Sequence, residues 1–144
     1  MQIFDSGFWI FYIQGKPKFD SHKIGKWTYF FEDEDYDRVS ELCRKAVEEG
    51  VVLEAKHNNI NNNKGMYDKR VSCFYLECDD IEGHKKVIRF FLDNDMIAKT
   101  KTGKLYNISF KLDRQTLAGE YGENYNGTIK LEQFLNLQTG EWLE

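Results

Sequence analysis

Apolar side chains in this chain fall into short runs rich in aromatics, and twice the spacing changes from strand-like to helical. Residues 8–14 (FWIFYIQ) and 26–31 (KWTYFF) suit a pleated surface. Gly7, Gly15 and Gly25 bound them, so they read as strands joined by a loop that holds the single proline, Pro17. From Val39 the period changes. Val39, Leu42, Cys43, Ala46 and Val47 recur at three- and four-residue steps, Asp33 and Asp35 offer N-caps, and Gly50 stands where a C-cap glycine belongs, which predicts a helix over 36–49. Residues 51–56 (VVLEAK) read as a buried strand. Residues 58–70, with their asparagines and Gly65, read as a loop with its tip in solvent, and 71–78 (VSCFYLEC) as the next strand. Asp79 and Glu82 have capping-box spacing before a second helix that buries Val87, Ile88 and Phe91 and stops near Asn94. Residues 96–99 and 105–112 flank the turn sequence TKTGK, and the last apolar residues fit a short helix and a closing strand.

The resulting order is strand, strand, helix, strand, strand, helix, strand, strand. It implies an α+β fold in one domain, 1–144: an antiparallel sheet with two main helices packed on one face and the other face open for a concave site. At 144 residues the chain can bury roughly two thirds of its unfolded surface without metal or disulfide support. Cys43, Cys73 and Cys78 show neither paired number nor zinc-ligand spacing, which fits a reducing, cytoplasmic setting. The apolar run at 8–13 is too short for a signal or a membrane span, and no cofactor is implied.

The formal charge is −4, which argues against general nucleic-acid binding and makes any local gathering of cations notable. Lys26 opens one strand, Lys56 closes another, and Lys111 with Arg114 follows the apolar run before Gly119 and Gly122. If those strands are neighbours, three or four positive charges meet at one rim of the sheet. Lysine as a point charge, arginine as a fork and glycine-turn amides together suit a phosphate group. Trp27 or Trp9 can stack on a base if exposed, and Tyr75 can contact the apolar part of a ligand. His57 follows Lys56 directly, so on a strand the two point to opposite faces and one misses the site. His57 is the leading acid–base candidate, His22 a weaker one, and His84 reads as an exposed helix residue. The acidic run 32–37 precedes a helix and reads as capping charge, not a metal site. Asn126-Gly127-Thr128 reads as a turn.

Gly25-Lys26-Trp27, Ala55-Lys56, and then Lys111, Asp113, Thr116, Gly119 and Tyr121 together resemble the uncharacterised family typified by the basophilic-leukaemia-expressed protein. The likeness spans roughly residues 25–121. It implies a fold similar to the cap-binding translation initiation factors, a curved antiparallel sheet backed by helices. A more distant resemblance is to bacterial phosphothreonine lyases, which use a lysine base, a histidine acid and arginine clamps. Ser6-Gly7-Phe8, Lys26, Lys56 and Ser109-Phe110-Lys111 resemble their segments. Thr28 stands where the lyases carry the acid histidine, and Leu117 and Glu120 where they carry further arginines. Loss of the acid removes proton donation worth roughly two to four orders of magnitude in rate. The expectation is therefore a non-catalytic binder of a phosphorylated small molecule, a nucleotide first, in a bacterial or phage immune-evasion role. Lys26, Trp27, Lys56, Tyr75, Lys111 and Arg114 are its ligand residues, with no catalytic or metal residues. The alternatives are a phosphothreonine lyase-like enzyme and an inhibitor that docks a basic protein partner through its acidic surface.

Overall fold

Period-two alternation sorts the strand side chains onto two unlike faces of one sheet, and both helices cover the more apolar of them. The computed structural model describes residues 1–61, 69–113 and 129–143. Among these, seven strands form an antiparallel sheet: β1 (Gln2–Asp5), β2 (Trp9–Ile13), β3 (Ile24–Phe31), β4 (Glu54–Asn58), β5 (Arg70–Glu77), β6 (Ser109–Leu112) and β7 (Ile129–Lys130). Their order is β1-β2-β4-β5-β3-β6-β7, so the two longest strands, β5 and β3, lie side by side in the middle. Helices α1 (Tyr36–Glu48) and α2 (Ile81–Asp93) follow β3 and β5. No helix of the described residues is long and apolar enough to cross a membrane.

The covered face carries Tyr12, Ala55, His57, Phe74, Leu76, Trp27, Phe31 and Phe110. Apart from His57, which is buried but polar, these join Val39, Leu42 and Val47 of α1 and Val87, Ile88 and Phe91 of α2 in one buried cluster. Phe74 meets Phe91 edge-on at 5.3 Å, and Trp27 meets Phe110 at 5.8 Å. Each such side chain taken from water contributes about 1.5–3 kcal/mol.

Several sequence-based boundaries need correction. β1 was not foreseen, because QIFD is exposed throughout and lacks a buried alternate face of its own. The strand expected at 51–56 runs instead from Glu54 to Asn58, since the backbone N–H groups of Val51 and Val52 donate hydrogen bonds to the Ala46 carbonyl at the C-terminal turn of α1. Residues 96–99 make a single bridge, Lys99 to Leu105, around the expected turn, in which Gly103 takes φ +85°. In the last apolar segment, β7 is followed by a short 3-10 helix, Leu131–Gln133, and then by a second bridge, Leu135 to Trp142, rather than a further strand. Of the two expected N-cap aspartates of α1, Asp35 holds the N-cap position but makes no side-chain cap bond, and Asp33 pairs with Arg70 at 2.8 Å. In α2 the cap is Asp80, which accepts from the Gly83 amide at 3.0 Å, while Asp79 pairs with Lys23. Gly65 and residues 62–68 lie outside the described residues.

His84, expected on the surface, is fully buried. The Trp27 indole N–H donates to its Nδ1 at 3.0 Å, so Nε2 carries the proton and donates to the Cys78 carbonyl at 2.8 Å. His57 is buried in the opposite tautomer. Its Nδ1–H donates to the Asn58 carbonyl at 2.8 Å, while Nε2 accepts from the hydroxyls of Tyr12 (2.9 Å) and Ser40 (3.1 Å). Burial holds both rings below the ordinary 6.5, against the opposing pull of those carbonyl contacts. An unfolded chain therefore takes up protons first as pH falls. We expect stability to be full above pH 6.5 and to decline as pH falls below it towards the folded values, before the paired carboxylates Asp33 and Asp79 titrate. Urea midpoints at about pH 7.5 and about pH 5 measure this, and equal midpoints would mean that neither ring is locked neutral.

Candidate functional site

The face that α1 and α2 do not cover carries two cross-strand rows fixed by the ladder registers, with Cys73 and Tyr75 buried on it. Phe4, Phe11, Lys56, Cys73 and Thr28 form the first row across β1, β2, β4, β5 and β3. Ile13, Glu54, Tyr75, Lys26 and Lys111 form the second across β2, β4, β5, β3 and β6. Lys26, Lys56 and Lys111 are thus brought to one face of adjoining strands. The Cα atoms of Lys26 and Lys111 are direct neighbours, about 5 Å apart, and Lys56 lies about 12 Å from Lys26 by strand geometry.

Tyr75 lies between the amines. Its ring centroid is 5.9 Å from Lys26 Nζ and 5.5 Å from Lys56 Nζ. Lys56 Nζ also stands 3.9 Å over the Trp9 ring and 5.5 Å from that of Phe11. Asp113, two residues beyond Lys111, accepts from Lys26 Nζ at 2.6 Å. Among the described residues, three ammonium groups and the carboxylates of Glu54 and Asp113 make up this cluster.

Burial is the main electrostatic fact of the site. It pushes the Lys56 ammonium below its ordinary range; the Lys26 charge adds to the fall, while Cys73, Asp113 and Glu54 oppose it. Lys111 is lowered by burial and then by Lys26. Burial raises Tyr75, lifts the Cys73 thiol to about 11 against the pull of the lysines, and raises Glu54, which Lys56 partly offsets. Protonated Lys56 is therefore held at a cost, which the faces of Trp9, Phe11 and Tyr75 offset in part.

Trp27 does not share this face. It is fully buried on the helix-covered side, one residue out of phase with Lys26, so it is a core side chain bonded to His84. The tryptophan beside the lysines is Trp9. His57 is likewise on the covered side, as its adjacency to Lys56 requires, and so is removed from the cluster. Arg114, Gly119, Tyr121, Gly122 and Asn126-Gly127-Thr128 lie outside the described residues. Glu54, Phe11 and Asp113 did not stand out in the sequence as partners of the lysines. For Glu54 and Phe11 the signal is parity along each strand, which means something once registers are known, and for Asp113 it is the motif shared with Lys111.

The chain matches no protein-family model, and no curated protein matches it significantly. The site stands on its own geometry.

Proposed function

We propose that the open face binds a phosphorylated small molecule, with a nucleotide the leading class, and does so without turning it over. The observation that carries the reading is the row and near-row of Lys26, Lys56 and Lys111 on one face, all three partly buried and Lys26 paired with Asp113. Desolvated cations are costly to the free protein, and an anion that displaces the remaining water gains charge-assisted contacts with all three. A chain with a fold similar to the cap-binding initiation factors would present such a ligand on this face, which neither α1 nor α2 covers. A bacterial or phage protein of this kind would serve to sequester a nucleotide signal in immune evasion.

Thermal shift against nucleotides, inorganic phosphates and phosphopeptides tests the reading, together with native mass spectrometry for a copurified phosphorylated compound. Lys56→Ala and Lys111→Ala are expected to remain folded and to lose the ligand-induced rise in Tm. In Lys111→Met, which keeps the apolar stem, the free protein is expected to gain stability, because the lowered ammonium pKa marks a charge that folding disfavours. A full screen with no shift for the wild-type protein would end the proposal.

The lowered Lys56 pKa supports a second reading, a lyase-like elimination. There the neutral Lys56 amine would take the Cα proton of a phosphothreonine, the C=C bond would form, and phosphate would leave from Cβ. Thr28 and the buried His57 leave no acid from those positions to assist departure, which favours binding over turnover. A phosphothreonine peptide made lighter by one phosphoric acid would establish elimination, and unchanged mass after long incubation would exclude it for that substrate.

A further inference from the structure

We propose that Lys56 acts as an exchangeable cover on Trp9, so that the ligand of this face must carry a planar aromatic ring as well as a phosphoryl group. The inference rests on the phosphoryl-binding reading above and adds to it the source of its selectivity. The resting position of Lys56 supplies the first observation. Its ammonium stands 3.9 Å from the Trp9 ring centroid, the closest of its three aromatic contacts. A cation so placed occupies the ring face that an incoming base would use.

The second observation is continuity. Trp9 and Phe11 sit two residues apart on β2 and so share the open face, and Phe11 packs against exposed Phe4 with ring centroids 6.0 Å apart. This apolar strip ends at Lys56, beyond which lie Tyr75, Lys26 and Lys111. A base-sized ring and its phosphate therefore meet an aromatic end and a cationic end of one surface, with Lys56 at the join.

Lysine is suited to the exchange because its charge sits on a flexible four-carbon stem with three rotatable donors. On binding, the ammonium leaves the indole for a phosphoryl oxygen on the side facing Tyr75 and Lys26. The ligand ring then takes the vacated face of Trp9. Inorganic phosphates can make the first half of this exchange but not the second, and sugar phosphates offer no ring to stack. The expected ligand class is a nucleotide read through its base plane, without requirement for one base edge.

The experiment compares the full chain's affinity for the four common ribonucleoside triphosphates with that for inorganic triphosphate, by calorimetry at fixed salt. Nucleotides are expected to bind about tenfold more tightly. Trp9→Leu should remove that advantage while inorganic triphosphate still binds as well or better, because Lys56 is freed from the indole. Trp9→Phe keeps a stacking ring and should retain most of the preference. Because the chain has three tryptophans, with Trp27 buried and Trp142 beside Arg89 at 5.3 Å, quenching by nucleotide that disappears in Trp9→Phe locates the stack. Equal affinity for nucleotides and inorganic triphosphate, unchanged by Trp9→Leu, overturns the exchange and leaves the phosphoryl site standing. If neither ligand binds the wild-type protein, the phosphoryl reading itself fails and the exchange with it. Near-ultraviolet circular dichroism of each variant separates loss of stacking from loss of fold, and Trp9→Phe carries the test if Trp9→Leu does not fold.

Discussion

Trp27→Ala is expected to cost about 3–5 kcal/mol of stability and to lower Tm by roughly 10–17 °C. The indole is fully buried, touches Phe110, His84 and Phe134 at centroid distances of 5.8, 5.9 and 6.5 Å, and supplies the donor to His84 Nδ1. Alanine would leave a cavity among rings that cannot all move inward, with a buried acceptor unpaired. Trp27→Phe separates the two causes. It restores most of the volume but still leaves Nδ1 without a partner, so about 1–3 kcal/mol should remain lost. Denaturant melts measure both values. The same variant also tests the placement of the site: Trp27 lies across the sheet from the lysines, so folded Trp27→Phe should keep its response to anions. A folded variant that had lost that response would show that the indole serves the open face.

Gly25→Ala is expected to damage stability and ligand response together. A methyl group at this position would fall 2.5 Å from the Lys111 carbonyl oxygen and 2.6 Å from the Phe110 ring, closer than real methyl contacts allow. Gly25 pairs with Leu112 across β3 and β6, one residue away from the Lys26–Lys111 pair. The two strands can admit the methyl only by separating, and Phe110 is held in the core, so relief must come at the level of the ladder. Overpacking of this kind costs about 1–3 kcal/mol. The displacement also changes the spacing of Lys26 and Lys111, so weaker anion binding should persist at temperatures where the variant is folded. Calorimetric titration beside a urea melt reads the two effects, and wild-type values in both would show that β6 is free to yield.

The elements that the sequence announced were those whose own periodicity is strong. Val39, Leu42, Cys43, Ala46 and Val47 predicted α1 almost to the residue, and Gly50, with φ +74°, ends it as a C-cap glycine should. Residues 71–78 likewise predicted β5 within a residue of each end. What failed had weak local signals or rivals. Asp79 and Asp80 compete for one cap, and only the turn geometry selects Asp80. His84 looked like a surface residue because polar neighbours surround it in sequence, yet it packs beneath β3, where Trp27 supplies a matching donor. QIFD gave no sign of β1, since an edge strand with four exposed residues has no buried period to display.

For the candidate site the division is similar. Composition and charge pattern alone marked Lys26, Lys56 and Lys111 as cations beside apolar strands, and adjacency alone placed Lys56 and His57 on opposite faces. Whether the three lysines would meet depended on antiparallel registers between segments far apart in the chain, where a one-residue slip sends a whole strand's side chains to the other face. The registers put Lys26 opposite Tyr75 and Lys111 and buried Trp27 one step away, while bringing Trp9 under Lys56. Local sequence determined which residues alternate or spiral, because that follows from backbone geometry within a few residues. Only tertiary pairing decided which of the alternating faces coincide, because that choice is made by the burial of the combined apolar surface.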